Sequence, residues 1–72
     1  MSAEEKIKLM CKNIAQLRKN RNITLEELSK ATGISVKYLN RIENNSAKRI
    51  RIIYVIYIAK ALKITLEELF GE

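Results

Sequence analysis

Residues 24–43, TLEELSKATGISVKYLNRIE, decide how this chain folds. Apolar side chains recur through the stretch at spacings that turn inward on two crossed helices: Leu28, Ile34, Leu39 and Ile42. Gly33 supplies the backbone freedom that a tight turn demands. The small residue Ser29 stands where the two helices approach each other. The stretch therefore predicts two short helices joined by a turn at Gly33.

The second of these helices opens with hydrogen-bonding side chains on its exposed side. Two crossed helices joined in this way form a helix-turn-helix, which can lay its second helix in the major groove of DNA. Fourteen Lys and Arg against eight Asp and Glu give a net charge of +6, which favours a polyanionic partner. The excess is concentrated at 37–51, where Glu43 is the only acid. Alone, such a run fits a solvated face equally well, but beside this helix it indicates a phosphate-contacting surface.

Five segments occur in a characteristic order: IAQLRK at 14–19, ITLEEL at 23–28, GISVKYLNRIE at 33–43, IAKAL at 58–62 and ITLEELF at 64–70. Through them, residues 13–70 resemble the Cro/phage-repressor (XRE-type) helix-turn-helix family. The resemblance implies an all-α, compact five-helix lambda-repressor-like DNA-binding domain with a central helix-turn-helix at 24–43. It also implies a sequence-specific transcriptional regulator that binds double-stranded DNA. The small controller proteins of restriction–modification systems and phage-type repressors are both compatible relatives.

Helix boundaries are predicted at 3–20, 24–31, 35–44, 51–62 and 65–70, within a single domain spanning 1–72. Capping boxes, in which a hydroxyl and a carboxylate reciprocally bind helix-start amides, are predicted for Ser2 with Glu5, Thr24 with Glu27 and Thr65 with Glu68. Ser35 is expected to cap the third helix. Period-two apolar alternation is absent, so no sheet is predicted. The expected core is Met10, Ile14, Leu17, Leu28, Ala31, Ile34, Leu39, Ile42, Ile52, Val55, Ile56, Ala59, Leu62, Leu66 and Leu69.

The family resemblance implies where DNA would be contacted. Base contacts are expected from the third helix, at Ser35, Val36, Lys37, Asn40 and Arg41. Backbone contacts are expected from Lys19, Tyr38, Asn44, Asn45, Ser46, Lys48 and Arg49. Two of these residues have an alternative role without DNA contact: Ser35 as a helix cap, and Tyr38 as a side chain that packs within the protein. Many relatives clamp a phosphate with Gln where this chain has Leu25, and that side-chain contact is lost.

Two further sets of residues are expected to serve assembly and stability. The resemblance implies an ion pair between Arg18 and Glu43 that ties the first helix to the third, the alternative being two unrelated surface charges. The fourth helix is apolar on nearly every side, and one small chain cannot bury all of it. The side left free by the core predicts a homodimer interface at Ile53, Tyr54, Tyr57 and Ala61. The alternative is that an extended first helix covers this face.

Several classes of function are not expected. The chain has no His or Asp, one Cys and two Gly, so metal, catalytic-triad and phosphate-loop signatures are missing. We therefore expect no enzyme, no metal or other cofactor, and no small-molecule ligand. Cys11 has no partner for an intrachain disulfide, and no signal peptide or membrane span is evident, so a cytoplasmic protein is expected. The rival interpretation is an antitoxin or antirepressor-like module that binds another protein through its fourth helix.

Overall fold

Five helices and short connections make up the chain. The computed structural model describes residues 2–47 and 49–71, and these contain no strand. The helices are α1 (Ala3–Asn20), α2 (Leu25–Thr32), α3 (Val36–Glu43), α4 (Ile52–Leu62) and α5 (Leu66–Phe70). All five predicted helices are confirmed, with each bound within one residue of its predicted position.

Local hydrogen bonds account for where the helices begin. All three predicted capping boxes are present, at the starts of α1, α2 and α5. At α2, Thr24 Oγ1 accepts from the amide of Glu27 at 3.1 Å, and Glu27 Oε1 accepts from the amide of Thr24 at 2.9 Å. Ser35 Oγ likewise accepts from the amide of Tyr38 at 3.1 Å at the start of α3. Helix α4 begins without a side-chain cap.

Three helices end at a non-glycine residue in the left-handed backbone conformation. These are Asn22 after α1, Asn45 after α3 and Lys63 after α4, with φ of 55°, 55° and 57°. In each case the next residue's amide returns to a carbonyl five residues earlier, as Ser46 does to Arg41 at 2.8 Å. This closure satisfies carbonyls that the helix leaves free at its end.

The core forms between α1, which packs on α3, α4 and α5, and α2, which packs on α3 and α4. Its buried side chains are Met10, Cys11, Ile14, Leu28, Ile34, Leu39, Ile42, Val55, Ile58, Ala59, Leu62, Ile64 and Leu69. Of the predicted core, Leu17 and Ile56 are only partly buried. The predicted core list did not include Cys11, Ile58 or Ile64.

Three core predictions are wrong. Ile52 is 63% exposed because it lies in the first turn of α4, on an open groove that it lines with Ile7 and Phe70. Leu66 is 40% exposed at the first residue of α5. Ala31 is exposed because the inner face of α2 runs through Leu25, Leu28, Ser29 and Thr32, which leaves position 31 outside it.

The C-terminal helix is fastened to α1 by a polar side chain as well as by packing. Asn13 Nδ2 donates to the carbonyls of Leu69 at 2.8 Å and Gly71 at 2.7 Å. These bonds occupy carbonyl groups at the end of a helix of only five residues. Among the described residues, no helix combines the length and the apolar character needed to cross a membrane.

Candidate nucleic-acid interface

The turn between α2 and α3 is held by two hydroxyl side chains. Gly33 has φ 77°, and its amide donates to the carbonyl of Ser29 at 2.8 Å. The Ser29 hydroxyl in turn donates to the carbonyl of Ile34 at 2.6 Å. Thr32 Oγ1 donates to the carbonyl of Leu28 and accepts from the amide of Ile34. Thr32 therefore bonds the backbone on both sides of the turn.

Arg18 and Glu43 are brought together beneath the end of α3. Arg18 Nε and Nη2 donate to the two Glu43 carboxylate oxygens at 2.6 and 3.0 Å, and Nη1 donates to the Ile23 carbonyl at 2.7 Å. The side chains are only 11% and 7% exposed. The hydrogen bonds that it donates to Glu43 raise the pKa of the Arg18 guanidinium. Through Arg18, this two-pronged pair joins three parts of the chain into one rigid unit: α1, α3 and the loop that precedes α2.

The exposed side of α3 carries the five residues expected to contact bases: Ser35, Val36, Lys37, Asn40 and Arg41. Leu39 and Ile42 are fully buried and fix which side of the helix faces outward. Ser35 serves as the cap, as described above. Asn40 Oδ1 accepts from Asn44 Nδ2 in a long bond of 3.4 Å, which leaves the Asn40 amide nitrogen free to donate.

Tyr38 lies to the side of α3 and contacts the segment that follows it. Its hydroxyl donates to the carbonyl of Arg49 at 2.5 Å. Its ring meets Tyr54 edge-on, with centroids 5.5 Å apart and planes at 72°. Tyr54, expected at the dimer interface, is thus partly buried against Tyr38 of α3. These contacts position the backbone of Arg49 relative to α3.

In the loop after α3, two polar side chains form hydrogen bonds to other parts of the protein, and a third is exposed to solvent. Asn45 Oδ1 accepts from the Cys11 thiol, with sulfur and oxygen 3.8 Å apart, and the Ser46 hydroxyl donates to the carbonyl of Arg41 at 3.3 Å. Asn44 is exposed. Lys48, expected to contact the DNA backbone, lies outside the described residues. Burial raises the pKa of the Cys11 thiol.

The surface around α3 is positively charged. Exposed basic side chains surround it: Lys19, Lys37, Arg41, Arg49 and Arg51. Glu43, the acid within this region of the sequence, is neutralised by Arg18. Leu25 is partly buried against the core, so it presents no polar group to a phosphate. The arrangement is suited to binding a polyanion with α3 at its centre.

The free side of α4 is apolar and only partly covered. Ile53 and Tyr57 are 42% and 43% exposed, so α1 does not cover them. Tyr54 and Ala61 are partly buried. Of the four residues expected to form a dimer interface, two therefore remain accessible for contact.

Comparison with known proteins agrees with this geometry. A family model described as helix-turn-helix, which represents the XRE/Cro-type family, matches residues 14–69. Comparisons with curated proteins and with solved structures gave no significant match. The matched segment includes α2 through α4, the Arg18–Glu43 pair and all five exposed residues of α3. The family consists of DNA-binding regulator domains rather than enzymes. This chain belongs to the XRE/Cro-type helix-turn-helix family of DNA-binding regulators.

Proposed function

We propose that the protein is a transcriptional repressor that recognises a palindromic operator as a homodimer. The whole chain acts as one DNA-binding domain, in the cytoplasm, where its operator is accessible. The observation that carries this proposal is the exposed side of α3, which presents Lys37, Asn40 and Arg41 on a scaffold that the Arg18–Glu43 pair ties together. A helix presented in this way can enter the major groove with its first turns against base edges.

Each exposed side chain of α3 suits a particular base contact. Lys37 and Arg41 can donate to guanine O6 and N7, and Asn40 can bond adenine through its amide. Val36 is 37% exposed and can pack on a thymine methyl group. Ser35 retains its hydroxyl proton for donation while it caps the helix.

Backbone contacts on either side of α3 would position it in the groove. We assign these contacts to Lys19, Tyr38, Asn44, Asn45, Ser46, Lys48 and Arg49. The exposed basic groups, Lys19 and Arg49, supply charge. For Asn45, Ser46 and Tyr38, whose side chains bond within the protein, we assign a positioning role in addition to any phosphate contact.

The homodimer is supported by the exposed apolar side of α4. Ile53, Tyr54, Tyr57 and Ala61 would form its seam, with Ile53 and Tyr57 losing the most exposed surface. Aromatic and aliphatic residues of this kind are enriched at the centres of interfaces. A two-fold dimer would place its recognition helices ~34 Å apart, which is one turn of DNA.

Selection of bound duplexes from a random pool, using the purified protein, tests the proposal. A palindromic consensus is expected. Lys37→Ala, Asn40→Ala and Arg41→Ala should each relax the preference at particular base pairs by ~1–3 kcal/mol. Arg49→Ala should instead weaken all duplexes alike and reduce the salt dependence of binding. If all four variants behave identically, α3 is not the recognition helix.

A second candidate is an antitoxin-like or antirepressor-like protein-interaction module. The exposed Ile53 and Tyr57 favour it, because a partner protein could cover them instead of a second copy. Sedimentation at micromolar concentration and duplex binding separate the candidates. A dimer that Ile53→Glu or Tyr57→Glu converts to monomer, with reduced operator affinity, supports the repressor. A wild-type monomer without salt-sensitive duplex binding supports the interaction module.

A further inference from the structure

We propose that α1 carries a second phosphate-contacting surface, which extends DNA contact beyond the helix-turn-helix through Lys8 and Lys12. This inference rests on the proposed DNA-binding function. It concerns two residues of α1 that precede the segment matched by the family model, residues 14–69. The surface consists of Lys8, Lys12 and Lys19, and we refer to it as the lysine stripe.

The three lysines are aligned along one side of α1. At about 100° per residue, positions 8, 12 and 19 fall within a sector of about 40°. At about 1.5 Å per residue, the eleven residues from Lys8 to Lys19 separate their Cα atoms by about 16 Å. All three side chains are exposed. A straight row of charges of this length can follow a phosphate backbone over several nucleotides.

The lysine stripe is continuous with the interface around α3. Lys8, Lys12 and Lys19 line one open groove together with Asn44 and Asn45, the two residues that end the recognition helix. A duplex backbone that reaches Lys19 and Asn44 at one end of this groove can therefore continue along α1. This shared groove links the lysine stripe to the DNA bound by α3 rather than to a separate ligand.

The charge of the lysine stripe is not compensated within the described part of the chain. Glu43 is the acid that lines the groove, and Arg18 occupies both of its carboxylate oxygens. Glu4 and Glu5 stand about one helical turn before Lys8, but neither forms an ion pair with a lysine of the stripe. Three unpaired ammonium groups in an open groove are suited to a partner with regularly spaced negative charges.

The test measures how binding depends on salt for the full chain and a fluorescent duplex of about 40 bp, roughly four helical turns. The variant is Lys8→Ala/Lys12→Ala. The control, Lys6→Ala/Lys63→Ala, removes the same total charge at two exposed lysines that do not line the groove. Lys6 also lies on the opposite side of α1, about 160° from Lys8. Helix content and thermal stability of both variants are checked by circular dichroism.

Counterion release predicts the size of the effect. Each lost phosphate contact should reduce the log–log salt slope by about 0.9, so the stripe variant should lose about 1.8. If the contacts vanish at 1 M salt, this slope corresponds to a loss of about 60-fold in affinity at 0.1 M. The control should retain most of the wild-type slope. Lys8→Arg/Lys12→Arg should bind like the wild type, because it keeps both charges.

The remaining outcomes separate this inference from the proposed function. Equal slopes for the stripe variant and the control would overturn the lysine stripe while leaving DNA binding through α3 intact. A wild-type slope in the stripe variant would do the same. If the wild-type protein binds no duplex even at low salt, the proposed function fails and the lysine stripe fails with it.

Discussion

The ion pair beneath α3 offers the sharpest test of what stabilises the scaffold that carries this helix. Glu43→Ala would remove two charged hydrogen bonds, at 2.6 and 3.0 Å, and leave the Arg18 guanidinium with only the Ile23 carbonyl. Charged hydrogen bonds contribute ~1.5–3 kcal/mol each, and breaking a buried pair costs ~3–5 kcal/mol. Because Arg18 is 11% exposed, water can solvate part of the stranded charge. We therefore expect a loss of ~3 kcal/mol.

The pair should show strong coupling in a double-mutant cycle. Arg18→Ala should cost ~3–4 kcal/mol, since it also leaves the carboxylate of Glu43 and the carbonyl of Ile23 unpaired. The double alanine variant should cost ~4 kcal/mol, which gives a coupling energy of ~2–3 kcal/mol. A 72-residue domain has a total stability of ~4–11 kcal/mol, so each single variant loses a large share of it. The corresponding fall in Tm for a single variant is roughly 12–32 °C.

Urea unfolding followed by far-ultraviolet circular dichroism measures these values, with trimethylamine oxide added if a single variant is unfolded in buffer. Glu67→Ala is the matched control, because it removes an exposed carboxylate, and it should lie within ~0.5 kcal/mol of wild type. Arg18→Met/Glu43→Leu should fold with a stability within ~1 kcal/mol of wild type, because it removes both charges and retains volume. Small, additive losses in the alanine variants would refute the reasoning.

Three further predictions concern stability and reactivity. Lys63→Gly should stabilise the protein by ~0.5–1 kcal/mol in urea unfolding, because glycine adopts the left-handed backbone at that residue without strain. The control Lys60→Gly, inside α4, should destabilise the protein by a similar amount, and stabilisation by both or by neither would contradict this reasoning. Hydrogen bonds from Thr24 lower the pKa of Glu27 from its ordinary value of 4.5, so the ionised carboxylate stabilises the fold above that pH. The difference in Tm between wild type and Glu27→Gln should therefore shrink as the pH falls below 4.5. Cys11 is 1% exposed and its pKa is raised by burial, so a thiol reagent should modify it far more slowly in the native protein than in urea, and equal rates would contradict its burial.

The features that the sequence determined by itself are those that depend on neighbours a few residues apart. A capping box needs only a hydroxyl and a carboxylate three residues apart, so Thr24 with Glu27 could be recognised without knowledge of the fold. The turn at Gly33 requires a left-handed backbone at that one residue, which glycine adopts readily, so the residue type alone indicated it. The order of five short segments was enough to identify the family, because together they specify the helices and the turn of the matched region.

Tertiary structure alone decided which face and which end of each helix is covered. Helix α4 is apolar on nearly every side, so its sequence could not show that Ile58 is buried while Ile52 is 63% exposed. That difference depends on the other helices, which cover Ile58 fully but leave Ile52 on an open groove that it lines with Ile7 and Phe70. The groove shared by Lys8, Lys12 and Asn44 is likewise formed by residues more than thirty positions apart. Hydrogen bonds and backbone turns are local, whereas burial and charge clustering depend on elements that only the folded chain brings together.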